Sequence, residues 1–117
     1  MNDKIIPLDL TYLYTLTEGN QKFTKLLLTS AIQDIKSKMT LLIECWRLKD
    51  AGGLRQAAHS LISLAAIAGM PLVSEWCREL EHAFTEQNFQ EDMAPIVENI
   101  VEVWSDAQPQ LIHLIKS

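Results

Sequence analysis

The chain has 117 residues, 48% of them hydrophobic, with ten basic and fifteen acidic side chains and a net charge of −5. This length suits one domain around one core, so residues 1–117 are expected to form a single unit. The acidic balance argues against nucleic acid as the main partner, because a phosphate backbone demands a basic footprint, and no stretch approaches the roughly 18 to 20 apolar residues of a membrane span.

In chain order, every segment reads as helix. Pro7 is placed to open a short first helix through Leu10, Leu13, Tyr14 and Leu16, ending before Gly19. Asn20 is the candidate N-cap of a long second helix. Its apolar stripe is Phe23, Leu26/Leu27, Ala31, Ile35, Met39, Leu42/Ile43 and Trp46. The pair Gly52-Gly53 reads as the turn into a third helix that ends at Gly69. Met70-Pro71 starts the fourth, with Leu72, Val73, Trp76, Leu80, Ala83 and Phe84 inward. Asp92 is the expected cap of the last helix, and Pro95 suits its first turn. The last stripe runs Met93, Ile96/Val97, Ile100, Val103/Trp104, Ala107, Leu111 and Leu114/Ile115, and Pro109 should kink or break it near Gln108. No segment alternates with period two. The expected fold is therefore all-α: an antiparallel four-helix bundle with a short additional N-terminal helix.

The third helix carries the most informative residue. Its buried stripe is Leu54, Ala57/Ala58, Leu61, Leu64/Ala65 and Ala68. At about 100° per residue, His59 points roughly 160° from the centre of that stripe. A histidine on a solvent face titrates near neutral pH and can act as a nucleophile. Arg55, Gln56, Ile62, Ser63 and Ala66 share its face at helical spacing. Together they make a small, partly apolar surface around a reactive group, suited to docking another protein.

Other residues read more plainly. Cys45 and Cys77 lie within or beside apolar helical patterns, so buried free thiols are expected rather than a disulfide. The cysteines and histidines lack zinc spacing. His82 and His113 read as surface residues, and Trp46, Trp76 and Trp104 as core. The charges Glu75, Arg78, Glu79, Glu81 and Glu86 read as a mostly solvated face. Met1-Asn2-Asp3-Lys4 lacks the layout of a secretory leader, which points to the cytoplasm. No surplus apolar stripe calls for a second copy, so a monomer is expected. There is no phosphate-binding glycine loop, no nucleotide fingerprint and no acidic metal cluster.

These residues resemble the histidine-containing phosphotransfer (HPt) domain of multistep phosphorelays. That family carries an Ala-His-x-Leu-Lys-Gly run, then small residues and a glycine ten positions after the histidine. Ala58, His59, Leu61, Ala65-Ala66 and Gly69 match it. Leu8-Asp9-Leu10-x-Tyr12-Leu13, Gly19-Asn20, Phe23, Leu48-Lys49-Asp50 and Leu80-Glu81 extend the match over nearly the whole chain. Two positions depart: Ile62 stands for the family's lysine and Ser63 for its glycine.

The resemblance implies that His59 accepts a phosphoryl group from a receiver-domain phospho-aspartate and passes it to another receiver. Glu81 matches the position that orients the imidazole. Arg55 and Arg78 are candidates for the charge that Ile62 does not supply. Gln56, Ile62, Ser63, Ala66 and Met70 are candidate docking residues. The implied protein is a phosphocarrier rather than an enzyme. It holds no cofactor of its own, because Mg²⁺ is expected on the partner receiver. Its implied partners are a response-regulator receiver domain, a hybrid sensor histidine kinase, or both. The departures at Ile62 and Ser63 motivate an alternative: a non-phosphorylated module of the same shape that regulates a kinase or receiver by docking alone. A third reading is a helical interaction domain with no signalling role.

Overall fold

The computed structural model describes residues 6–85 and 88–117. It has five α-helices: α1 (Thr11–Thr17), α2 (Gln21–Arg47), α3 (Ala51–Ile67), α4 (Pro71–Ala83) and α5 (Ala94–Lys116), with a 3₁₀ turn at Glu91–Met93 before α5. Among the described residues there is no strand. Helix α3 packs on α2 and α4, and α5 closes the bundle against α4 and α2. Helix α1 lies across α2 and α3. Met1-Lys4 and Glu86 lie outside the described residues.

Asn20 does cap α2, its side chain accepting from the Phe23 amide at 2.9 Å. The buried stripe of α2 is Leu28, Ala31, Ile32, Ile35, Met39 and Leu42. Phe23, Leu26 and Ile43, expected inside, are exposed, as are Tyr14 and Leu16 on α1 and Leu72 on α4. The core stripe of α2 thus begins at Leu28 and skips the apolar residues before it. Trp104 is buried, whereas Trp46 and Trp76 are half-buried.

The turn between α2 and α3 corrects another expectation. Gly52-Gly53 is not the turn; both residues lie inside the first turn of α3. The reversal occurs at Leu48-Lys49, with Lys49 left-handed at φ 57°. The Asp50 amide donates to the Cys45 carbonyl at 2.9 Å and the Lys49 amide to that of Trp46 at 3.2 Å. That pattern is a Schellman ending, here on a lysine instead of a glycine. Asp50 then caps α3, accepting from the Gly53 amide at 3.0 Å. Gly53 has a different task from a turn glycine. A Cβ there would lie 2.6 Å from both Asp50 Oδ2 and Cys45 Sγ.

The other end of α3 has the same ending with a true glycine. The Met70 amide donates to Ala65 at 2.9 Å and the Gly69 amide to Ala66 at 3.2 Å. Gly69 is left-handed at φ 79°. Its carbonyl accepts from the Asp9 amide at 2.9 Å, which ties the segment before α1 to the α3–α4 corner. Pro7 therefore does not open α1; the chain there is irregular, and α1 begins at Thr11, whose amide donates to the Asp9 carboxylate at 3.1 Å.

Asp92 lies in the 3₁₀ turn and caps nothing, because that turn runs directly into α5. Pro95 does fall in the first turn of α5. Pro109 does not break the helix, which continues to Lys116. An interior proline costs ~3 kcal/mol through a lost hydrogen bond and a steric clash. Here Pro109 is exposed while Ala107 and Leu111, on either side, are buried. The core face of α5 is uninterrupted, and the Gln110 amide group exchanges hydrogen bonds with the Ile6 backbone.

One end of the bundle is closed by aromatic packing. Trp46 meets Phe84 edge-on at 6.5 Å and Phe89 at 4.8 Å, and Phe84 lies 5.3 Å from Phe89. This anchors the end of α4 to α2. Both cysteines are free, and Cys77 is buried between helices, where desolvation pushes its thiol up to about 12. Among the described residues, no helix is long and apolar enough to cross a membrane.

Two glycine variants separate these roles. Gly69→Ala should lower stability by about 2 kcal/mol, because φ is left-handed and the new methyl would meet Leu10 Cδ2 at 2.8 Å and the Asp9 carbonyl at 3.0 Å. Gly52→Ala meets only Asp50 Oδ1 at 3.8 Å and should raise stability by roughly 0.5 kcal/mol through helix propensity. Urea unfolding of both, with unchanged slopes, checks the contrast.

Candidate functional site

Helix α3 turns Ala51, Leu54, Ala57, Ala58, Leu61 and Ala65 into the bundle. The opposite face therefore carries His59 outward, and 72% of its side chain is exposed. Such exposure leaves the ring reachable by a second macromolecule.

The ring is nevertheless not free to spin. His59 Nδ1 pairs with Glu81 Oε2, on α4, whose own side chain is only 28% exposed. A carboxylate only accepts, so the Nδ1 position carries the proton. That leaves the Nε2 lone pair pointing away from Glu81, available to attack an electrophile. Glu81 is fixed by its helix: Leu80 beside it and Phe84 one turn later are both buried, and Phe84 sits in the aromatic cluster.

An open hollow spreads beside the ring. Lys38 and Leu41 of α2, Arg55, Gln56 and His59 of α3, and Glu81 of α4 line it. Cys45 also reaches it, but burial and the nearby Asp50 and Glu44 carboxylates raise its thiol above the ordinary value. It stays protonated at neutral pH and is no competing nucleophile.

The residues singled out from sequence divide clearly. His59, Glu81, Arg55 and Gln56 meet in this hollow. Ser63 is exposed and Ala66 half-buried further along α3. Ile62 is half-buried and packed against the core, and its carbonyl accepts from the Ser74 hydroxyl at 2.8 Å. Met70 is only 2% exposed. It follows the left-handed Gly69 and turns into the core, so it cannot be a docking residue. Arg78 does not enter the hollow. It lies 3.9 Å from Glu75 and lines a different depression with Glu79, His82 and Met93. His82 and His113 are exposed.

Lys38 and Leu41 were not among the sequence candidates. The available signal was Leu41, an apolar residue out of phase with the stripe Ile35, Met39 and Leu42. Lys38, one turn before it, shares its face. Among the described residues, no three His, Cys, Asp or Glu side chains gather to hold a metal ion.

Two solved structures share this architecture. The HPT domain of the Hpt sensor hybrid histidine kinase from Shewanella superposes with a TM-score of 0.81 at 15% identity, over 93% of each chain. Histidine-containing phosphotransfer protein B (HptB) from Pseudomonas aeruginosa PAO1 superposes with a TM-score of 0.80 at 21% identity, over 93% of this chain and 94% of that one. At such identities the likeness is one of fold. No curated protein matches the sequence. A family model described as the Hpt domain matches residues 24–115, and the chain belongs to the Hpt domain family.

Proposed function

We propose that His59 is the phosphoacceptor of a relay step, taking a phosphoryl group from the phospho-aspartate of a receiver domain and passing it to another receiver. Membership of the Hpt family makes the chain a phosphotransfer module of two-component signalling. The observation that carries the finer reading is the exposed His59 ring, held through Nδ1 by Glu81 with Nε2 left open.

The chemistry follows from that arrangement. The Nε2 lone pair attacks phosphorus, the bond from phosphorus to the aspartyl oxygen breaks, and the aspartate carboxylate leaves. The Nδ1 proton stays where it is, and the positive charge that develops on the ring faces the Glu81 carboxylate. No proton need leave the ring, so the reverse transfer uses the same atoms. Phosphoryl transfer is mostly positioning and charge neutralisation. The acidic pocket and its Mg²⁺ belong to the receiver in this reading, and the chain is a phosphocarrier rather than an enzyme.

Docking uses the face around His59: Gln56, Ser63 and Ala66, with the accessible part of Ile62 and with Leu41 from α2. Signalling encounters of this kind bury modest areas, so a small mixed surface suffices. One observation favours a second reading. Ile62 puts no cation on the His59 face, and a module that only docks would not need one.

Incubation with a phosphorylated receiver from the same organism separates the two. Acid-labile label should appear on the wild-type chain and be absent from His59→Gln, because a phosphoramidate hydrolyses in acid. Binding without label on either chain overturns the phosphocarrier reading in favour of docking alone.

Glu81→Gln keeps a hydrogen-bond acceptor but removes the charge. A charge-assisted bond is worth roughly 1.5–3 kcal/mol, so transfer should slow about ten- to a hundredfold without vanishing. Rapid-quench measurement of the first-order transfer rate checks this; a rate equal to wild type removes Glu81 from the mechanism.

A further inference from the structure

The family places a lysine three residues after the histidine, and helix geometry explains why that position works. Side chains on a helix lean toward its N-terminus. A long cation at position 62 would therefore lean back over His59. Ile62 cannot provide it. Arg55 lies one turn before His59 on the same helix, where the general lean of helical side chains favours the start of α3 over the ring. A cation on the missing side has to come from another helix.

Lys38 of α2 is in that place. Cys45 of α2 stands opposite Gly53 of α3, where an added Cβ would meet Cys45 Sγ at 2.6 Å. The short turn makes the two helices antiparallel. Seven residues back along α2 and seven forward along α3 bring Lys38 opposite Ser60, next to His59. Lys38 leans toward the N-terminus of α2, which in an antiparallel pair is the direction of Ile62. A side chain with that lean is directed toward the side that the family lysine would occupy. Lys38, Ser60 and His59 line the same hollow.

Two further facts set Lys38 apart. Of the four lysines on α2, Lys22, Lys25 and Lys36 are exposed and Lys38 is half-buried. A half-buried lysine at an apolar edge typically lays its stem along that edge and keeps its ammonium in water. Neither Lys38 nor Arg55 has a side-chain ion pair or hydrogen bond among the described residues. Among the described residues, two cations without a side-chain partner thus share a hollow with one histidine and one carboxylate.

We propose that Lys38 neutralises the phosphoryl group on His59 from across the α2–α3 groove, in place of the family lysine. This rests on the phosphoacceptor reading above. Arg55 is the secondary cation, on the other side of the ring.

The test uses the full chain and two phosphodonors: a phosphorylated receiver and phosphoramidate, a small donor that needs no docking. With the small donor, the P–N bond breaks, ammonia leaves and the bond from phosphorus to Nε2 forms. Lys38→Gln should slow labelling of His59 about three- to tenfold with both donors, while Lys38→Arg stays within about twofold of wild type. Lys36→Gln, an exposed charge on the same helix, should leave both rates unchanged. The melting temperature of each variant, equal to wild type, accompanies the rates. Lys38→Gln at the wild-type rate overturns the proposal and leaves the phosphoacceptor reading intact. Slowing with the receiver alone also overturns it, because Lys38 is then a docking residue. A wild-type chain that takes label from neither donor overturns both readings together.

Discussion

The site depends on how closely α3 lies against its neighbours. The inward face of α3 is four alanines and two leucines: Ala51, Ala57, Ala58 and Ala65 with Leu54 and Leu61. Helix axes approach as near as the side chains between them allow. A face this small lets α2 and α4 come close on both sides. Glu81, a side chain of ordinary length on α4, can then reach the ring of His59 from the next helix. Larger residues at Ala57 or Ala58 would push α2 or α4 outward and lengthen that reach. The packing of the core and the geometry of the imidazole are one constraint.

The corner between α2 and α3 sets the register of that packing. Asp50 both closes α2, through its amide, and opens α3, through its carboxylate. Gly53 is small because the cap and the Cys45 thiol already fill the space beside it. With 45 opposite 53, the levels of all later residues follow, including Lys38 beside His59. A turn one residue longer would shift α3 by about 1.5 Å and rotate it by about 100°, carrying His59 off the exposed face.

Periodicity made the helices, the outward direction of His59 and the caps at Asn20 and Gly69 legible in the sequence. Three kinds of feature were not. The Lys49 corner was hidden because a left-handed lysine leaves no mark in composition, while Gly52-Gly53 beside it suggests a turn. Met70 stands among the candidate docking residues, but the chain turns at the left-handed Gly69 and carries Met70 into the core, which the sequence does not show. The apolar stripe places Phe23 and Leu26 in the core, because a stripe does not show where the opposing helices stop. The pairing of His59 with Glu81 was suggested by family resemblance. The placement of Lys38 required the register of two helices, which no single-helix pattern contains.

That last difference matters for how substitutions at position 62 are read. A cation next to a phosphoryl group acts through space, and the chain can supply it from any element that faces the same hollow. Loss of the lysine on α3 does not by itself remove charge from the site. Exposed charges interact weakly in water, but attraction strengthens as water is excluded. A receiver covering His59, Leu41 and Gln56 would also cover the hollow that holds Lys38. The same cation would then act on the phosphoryl group in the free chain and more strongly in the docked complex, where water is excluded. An ammonium reaching across from a neighbouring helix is set by the bundle rather than by the His59 helix alone. On this view, what must persist at the site is one cation in the hollow beside the ring, whichever helix carries it, and Lys38 lines that hollow.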